Sequence, residues 1–389
     1  MKDFTWKIYS FCFFSDLVLI YPVYAVMFAD RGLTPLQISA LLMVWAGTSF
    51  LLEVPSGVFA DKYSRKNILV GAELARIIGY MFWLLMPTFA GFLIGFVLWG
   101  IKSAFTSGTL EALVYDELKA SKSESRYIKV QGFMQSLQYL AFIFAGLGAS
   151  LAITKGYSFV LIISIFALTL AVGSLLSLPK VKPTESTGEK DYFKLLIEGL
   201  KFSVKIPSIL KIIVFISFGQ ALFGALDEYW SIFASNVGLV KQGLGIFFII
   251  YGLVQALAST IAFKFEGVNI KYFEFLFFVN GILLLLASYF YTVPALVLLF
   301  IFSFLFKLID TVTNSRLQHQ ITNHKLRATI TSVKGFFVEL AVMGFYLGFG
   351  SIAKYYGYQL AFSSIAVLIS AIGLAYLVLD KTHDEISHI

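Results

Sequence analysis

The sequence predicts an all-α membrane protein of twelve transmembrane helices in two six-helix halves, and three observations carry that prediction. Of 389 residues, 58% are hydrophobic and only 14% charged, with a mean hydropathy of +0.82. That leaves too little polar surface to cover a soluble globule of this size. Runs of roughly 20 apolar residues, each long enough to cross about 30 Å of hydrocarbon, recur twelve times along the chain. The basic residues also divide by the positive-inside rule if the loop holding Asp61 is cytoplasmic. Only Arg31, Lys155, Lys241 and Lys354 then fall on the far side, while Arg76, Lys102, Lys307 and Lys334 lie inside spans. The expected product is a multi-pass protein of the plasma (inner) membrane with both termini cytoplasmic. Its net charge of +7 then sits at lipid headgroups, which removes the case for nucleic-acid binding.

The spans fall at 6–29, 36–60, 67–88, 91–115, 127–153, 157–178, 208–235, 243–264, 272–291, 293–317, 328–352 and 358–379. The first is too long for a signal peptide, contains Asp16 and lacks a small-residue cleavage site, so it is expected to remain in the mature protein. Tyr21-Pro22 should break its helix locally. A polar stretch at 179–206 separates an N-terminal half, 1–178, from a C-terminal half, 207–389. Within it, Phe193, Leu196, Ile197, Leu200 and Val204 recur at helical spacing and suggest an interfacial helix. A shift of 205 residues lays Asp61 on Glu266, Lys66 on Lys271 and Lys102 on Lys307, as an internal duplication would. Small residues at Ala141, Ala145 and Ala149, and at Gly344 and Gly348, are expected to let helices pack closely. Cys12 is the single cysteine, so an intramolecular disulfide is excluded.

Between the second and third spans runs Glu53-Val54-Pro55-Ser56-Gly57-Val58-Phe59-Ala60-Asp61-Lys62-Tyr63-Ser64-Arg65-Lys66-Asn67. Its pattern G-x-x-x-D-x-x-x-R-K, filled by Gly57, Asp61, Arg65 and Lys66, resembles the signature between the second and third helices of the major facilitator superfamily. The resemblance extends to bacterial members and implies a secondary carrier with no enzymatic activity. It also implies that Asp116 joins these four residues in a gating cluster, and that the first, fourth, seventh and tenth helices line a central cavity. Physically, the glycine would permit close approach at a tight turn, and an acid with two cations can exchange partners between helix ends. The sequence departs from two family patterns. Lys102 precedes Gly108 by six residues, where proton-coupled members have an arginine four before a glycine, and Ala145-Gly146-Leu147-Gly148-Ala149 lacks the proline of drug/proton antiporters.

Ionisable groups inside spans cost about 3 kcal/mol each and so require a reason. Asp16, near the midplane, is a candidate proton-binding carboxylate, with Glu339 in the eleventh span as another. Lys102, Lys307 and Asp310 are candidate substrate contacts. A Lys307–Asp310 pair on one helix face would be structural, whereas two uncompensated lysines would attract an anion. Asp227, Glu228 and Trp230 could hold a cation between carboxylates and rings, or Tyr229 and Trp230 could belong to an interfacial aromatic belt. Glu73 and Arg76, three apart, should neutralise one another, and Lys334 and Glu339 are placed to do the same.

No Gly-Lys dipeptide occurs, so no phosphate-binding loop and no internal ATP motor is expected. The four histidines lie in the tenth-to-eleventh loop and the tail, and with one cysteine they offer no metal site or cofactor. A lipid-modifying enzyme would show a His, Asp or Ser cluster at one membrane face, and a channel would show a ring of charge. Neither appears. The expected partners are a small-molecule substrate, protons or another coupling ion, and membrane lipids, with the protein a monomer. The expected activity is proton-coupled efflux of small amphipathic compounds, the alternative being proton-coupled uptake of a polar or anionic metabolite or chelate.

Overall fold

The first apolar run does not form one helix. In the computed structural model, which describes residues 2–179, 207–320 and 324–379, α1 (Lys2–Asp16) stops at Asp16 and α2 (Tyr24–Asp30) begins eight residues later. Pro22 has no N–H to donate and pushes Tyr21 out of helical geometry, so the intervening chain turns on short bonds, Tyr21 N to Val18 O and Val23 N to Ile20 O. A break inside a membrane frees backbone groups that must find partners. Ser164, fully buried on a later helix, supplies one by accepting from Ile20 N at 3.1 Å.

The seventh span is interrupted in the same way. Here α9 (Pro207–Asp227) ends at Asp227 and α10 (Trp230–Asn236) follows directly. Both short helices, α2 and α10, close on a left-handed glycine, Gly32 at φ +85° and Gly238 at φ +100°. In each, the next leucine reaches back, Leu33 N to Phe28 O and Leu239 N to Ala234 O, satisfying a terminal carbonyl. This repeated cap is a stronger sign of duplication than the three matched charges.

Ten other helices among the described residues are long and apolar enough to cross a membrane; with the two interrupted spans, they make up the twelve expected. In order they include α3 (Pro35–Lys62), α4 (Arg65–Leu85), α5 (Phe89–Thr106) continued by α6 (Thr109–Ala120), α7 (Tyr127–Ala152) and α8 (Tyr157–Leu176). Then come α11 (Lys241–Ile261), α12 (Ile270–Phe290), α13 (Leu296–Gln320), α14 (His324–Tyr356) and α15 (Tyr358–Leu379). A capping box between Thr34 and Gln37 starts α3, with Pro35 at its first position. The fourth span is not continuous, because Gly108 takes a left-handed conformation (φ +70°) between α5 and α6. Large apolar side chains such as Leu85, Leu151, Phe166 and Leu176 are exposed, as lipid-facing positions require.

The described residues form two compact units, one holding the helices up to α8 together with Val240–Ile249, the other holding α9, α10 and the rest of the chain from Ile250. In the first, α1 packs on α7 and α8, α4 on α5 and α8, and α3 on α5. In the second, α12 packs on α15 and α13, and α9 on α14. Glycines set the tightest crossings. A Cβ at Gly95 would overlap the Trp83 indole nitrogen, and one at Gly373 would lie 2.6 Å from Phe278 N. Within the first unit, a Cβ at Gly245 would overlap Gly146 O.

Two packing expectations need correction. Gly344 and Gly348 would have nothing within 4 Å of an added Cβ among the described residues, so they mediate no close contact between described helices, whereas Ala141, Ala145 and Ala149 are buried as expected. Gly57 is not at a turn either. Helix α3 runs through it to Lys62, the link to α4 is only Tyr63-Ser64, and a Cβ at Gly57 would meet nothing within 4 Å. The interfacial helix at Tyr192–Val204 lies outside the described residues.

Candidate functional site

In the first unit, the end of α1 meets the middles of α4 and α5. Glu73, on α4 and only 1% exposed, accepts from Ser15 Oγ at 2.7 Å and has Lys102 Nζ of α5 at 3.8 Å. Arg76 lies 4.0 Å from the other Glu73 oxygen. The expected Glu73–Arg76 pair is therefore loose and not self-contained. Arg76 instead donates to Ser15 O at 2.9 Å and Tyr80 Oη at 3.3 Å, with its guanidinium 5.3 Å from the centre of the Trp99 ring. Half-buried Asp16 is within electrostatic reach of both Lys102 and Arg76, with the Gln138 amide of α7 beside its carboxylate. Two acids and two bases thus converge where the first helix breaks, and their formal charges cancel.

The second unit has a larger polar cluster. Lys307 Nζ is 3.4 Å from Asp310, which also accepts from Gln220 at 2.7 Å and Asn314 at 2.6 Å. Lys334 donates to Asn314 Oδ1 at 2.8 Å, so its described hydrogen bond is not to Glu339. Asp227, at the break after α9, accepts from Tyr251 Oη, which in turn accepts from Trp230 Nε1 at 3.1 Å. Tyr229 and Trp230 are fully buried, Trp230 stacked on Phe362, which rules out the interfacial-belt reading. Glu228 and Glu339 are half-buried. Ser15, Gln138, Gln220, Tyr251 and Asn314 escaped a sequence search confined to charges. The signal that could have found them is that each is a polar side chain inside an apolar run.

At the end of the bundle where α3 passes to α4, Arg65 forms an ion pair with Asp116 of α6 and donates to Ala112 O at 3.4 Å. Lys66 donates to Leu178 O and, at 2.8 Å, to Leu176 O, placing a cation on the last carbonyls of α8. Asp61 lies on α3, but its side chain is outside the described positions. In the second unit, the loop copy that lacks the motif arginine is met by Arg316 of α13. It donates to Glu266 O at 2.8 Å and to Val268 O, a substitute that the spacing did not reveal. At the other end of the first unit, Asp30 is bonded by Tyr157 Oη at 2.5 Å and by Lys241.

No three His, Cys, Asp or Glu side chains converge as a metal site among the described residues. What the arrangement offers is a set of buried, mutually compensated charges beside two helix breaks, in a bundle of membrane-spanning helices. That is the construction of a carrier. The family model of the Major Facilitator Superfamily matches residues 8–344, and the chain belongs to that family of membrane transporters. It is 23% identical over 262 residues to the uncharacterized MFS-type transporter YxaM of Bacillus subtilis (strain 168), a match covering 66% of this chain and 65% of that relative's length. Among solved structures, the nucleoside transporter NupG superposes with a TM-score of 0.79 at 18% identity, covering 97% of this chain and 99% of that one. A bacterial homologue of the human lysosomal transporter Spinster superposes with a TM-score of 0.74 at 13% identity, covering 97% of this chain and 95% of that one. These likenesses are of fold.

Proposed function

We propose that the chain is a proton-coupled secondary transporter of a small compound without net negative charge. The observation that carries this reading is the compensation of both candidate substrate lysines, Lys102 facing Glu73 and Lys307 facing Asp310. Two free lysines would favour an anionic cargo, and paired ones remove that attraction. Asp16 is the coupling carboxylate, placed where the first helix opens, with Glu339 as its counterpart in the C-terminal half. Asp227, Glu228 and Asp310 provide polar contacts, and Trp230 acts by positioning Tyr251. The cluster of Gly57, Asp61, Arg65, Lys66 and Asp116 gates the cycle through the Arg65–Asp116 pair. The protein works as a monomer in the plasma (inner) membrane with both termini cytoplasmic.

Efflux of amphipathic compounds fits this site, because aromatic rings such as Trp99 and Tyr80 border the charged network. Uptake of a neutral polar metabolite is the second reading. The specific observation favouring it is that proteins of similar fold include a nucleoside transporter and a D-xylose-proton symporter. A screen of labelled compounds in cells with and without the protein tests both. Lower accumulation of amphipathic compounds supports efflux, higher accumulation of sugars or nucleosides supports uptake, and selective transport of carboxylates contradicts the charge argument.

A further inference from the structure

Where α1 and α8 run side by side in the first unit, an open groove of about 470 Å³ lies between them and contains none of the residues of the charged network. Its size falls in the range of about 300–1,000 Å³ typical of small-molecule sites. One end is polar, built by Trp6, Lys7 and Ser10 of α1 with Ser174 and Ser177 at the end of α8. The other end is apolar, with Phe14 and Leu170 about 10 Å further along the helices. Trp6 is 68% and Leu170 37% exposed, so the groove opens outward, to the side where the bilayer lies. Between the two ends Gly173 keeps it open, since an added Cβ there would meet nothing within 4 Å. The polarity therefore runs as it does along a lipid, from headgroup to chain.

The hydrogen bonds at the polar end say which headgroup fits. Ser177 Oγ donates to Ser174 O at 2.7 Å and Ser174 Oγ to Leu170 O at 2.9 Å. Ser10 is then the donor in its 2.9 Å bond to Ser174. The serine protons are spent on the protein, and what these hydroxyls present to the groove is lone pairs. Lys7 supplies the cation. It is bonded to Asp3 at 2.5 Å, but this is an exposed pair one helical turn apart, of the kind that contributes little, and two of the three Lys7 N–H groups remain for another acceptor. The mouth thus carries one cation, one anion and several acceptors, which suits a headgroup with both signs of charge and N–H donors better than a purely anionic one. We propose that the groove holds one zwitterionic glycerophospholipid with a primary ammonium, its phosphate on Lys7, its ammonium on Asp3 and Ser177, and one acyl chain lying over Gly173 toward Phe14 and Leu170. Trp6 then sits at headgroup level, where indole rings favour the membrane interface.

The proposal does not depend on proton coupling, and lipid retention rather than transport is its readout. The test is native mass spectrometry of the purified full-length protein offered equal amounts of phosphatidylethanolamine and phosphatidylglycerol with the same acyl chains. Wild type should retain one phosphatidylethanolamine in preference to phosphatidylglycerol. Lys7→Ala removes the charge-assisted bond to the phosphate and should lower that retention about tenfold. Asp3→Asn leaves the phosphate contact but removes the anion facing the ammonium, and should retain the two lipids alike. Gly173→Phe puts a ring into the open groove and should retain neither. Lys7 and Asp3 lie at the surface, so their variants keep the test decisive if Gly173→Phe does not fold. Equal retention of the two lipids by wild type, undiminished retention in Lys7→Ala or in folded Gly173→Phe, or an unaltered preference in Asp3→Asn overturns the proposal and leaves the groove as ordinary lipid-facing surface.

Discussion

Lys102 and Lys307 stand 205 residues apart, at positions that the 205-residue shift lays on one another, yet each answers to a different kind of partner. Lys102 faces an acid on a neighbouring helix, and Lys307 an acid three residues along its own. Removing Lys102 leaves Glu73 buried with only a loose cation, a change of the sort that costs about 3 kcal/mol. Lys102→Ala should therefore lower the thermal unfolding temperature of the purified protein clearly, and an unchanged temperature would show that the interaction is negligible. The two glycines of interest should behave oppositely. Gly95→Ala forces a Cβ into the Trp83 indole and should reduce the yield of folded protein, whereas Gly57→Ala meets open space and should leave folding intact. Equal yields of the two variants would contradict the packing described.

The helix breaks are the features of element scale on which the site depends. Ser164 holds the first break by accepting from Ile20 N, and Ser164→Ala would leave a buried N–H unmet at a cost of about 1–3 kcal/mol. Hydrogen exchange at Ile20 should rise in that variant while α8 stays protected, and unchanged exchange would show that the break is held by other means. In the proposed gate, Asp116→Asn removes the partner of Arg65, and Asp61→Asn removes the motif carboxylate that precedes the short α3–α4 link. Each should impair transport while leaving insertion intact, and wild-type turnover in a well-folded Asp116→Asn variant would remove the Arg65–Asp116 pair from the gate. The first break was legible in the sequence because Tyr21-Pro22 announces it. The break after Asp227 was not, since no proline marks it and Tyr251, which holds Asp227, is a tyrosine among aromatic residues. Helix number followed from apolar run length, but Gly57 and Gly344 misled because a glycine's spacing does not say whether a neighbour is present. Lys66 likewise reads as a motif cation, while its contact with the last carbonyls of α8 depends on a long-range packing that spacing cannot show.

For the whole molecule, membership of the Major Facilitator Superfamily and a carrier's architecture follow from the sequence, the fold and their likenesses together. The central claim beyond them is that movement of a small compound is driven by protonation of carboxylates in the buried network. The most direct measurement uses vesicles reconstituted with the full-length protein, a labelled compound found by the cellular screen, and an imposed pH gradient. Wild type should concentrate the compound in response to the gradient. Asp16→Asn, which fixes the protonated charge state, should lose that accumulation while still exchanging labelled for unlabelled compound across the membrane. Accumulation by Asp16→Asn equal to that of wild type under the same gradient would contradict the account.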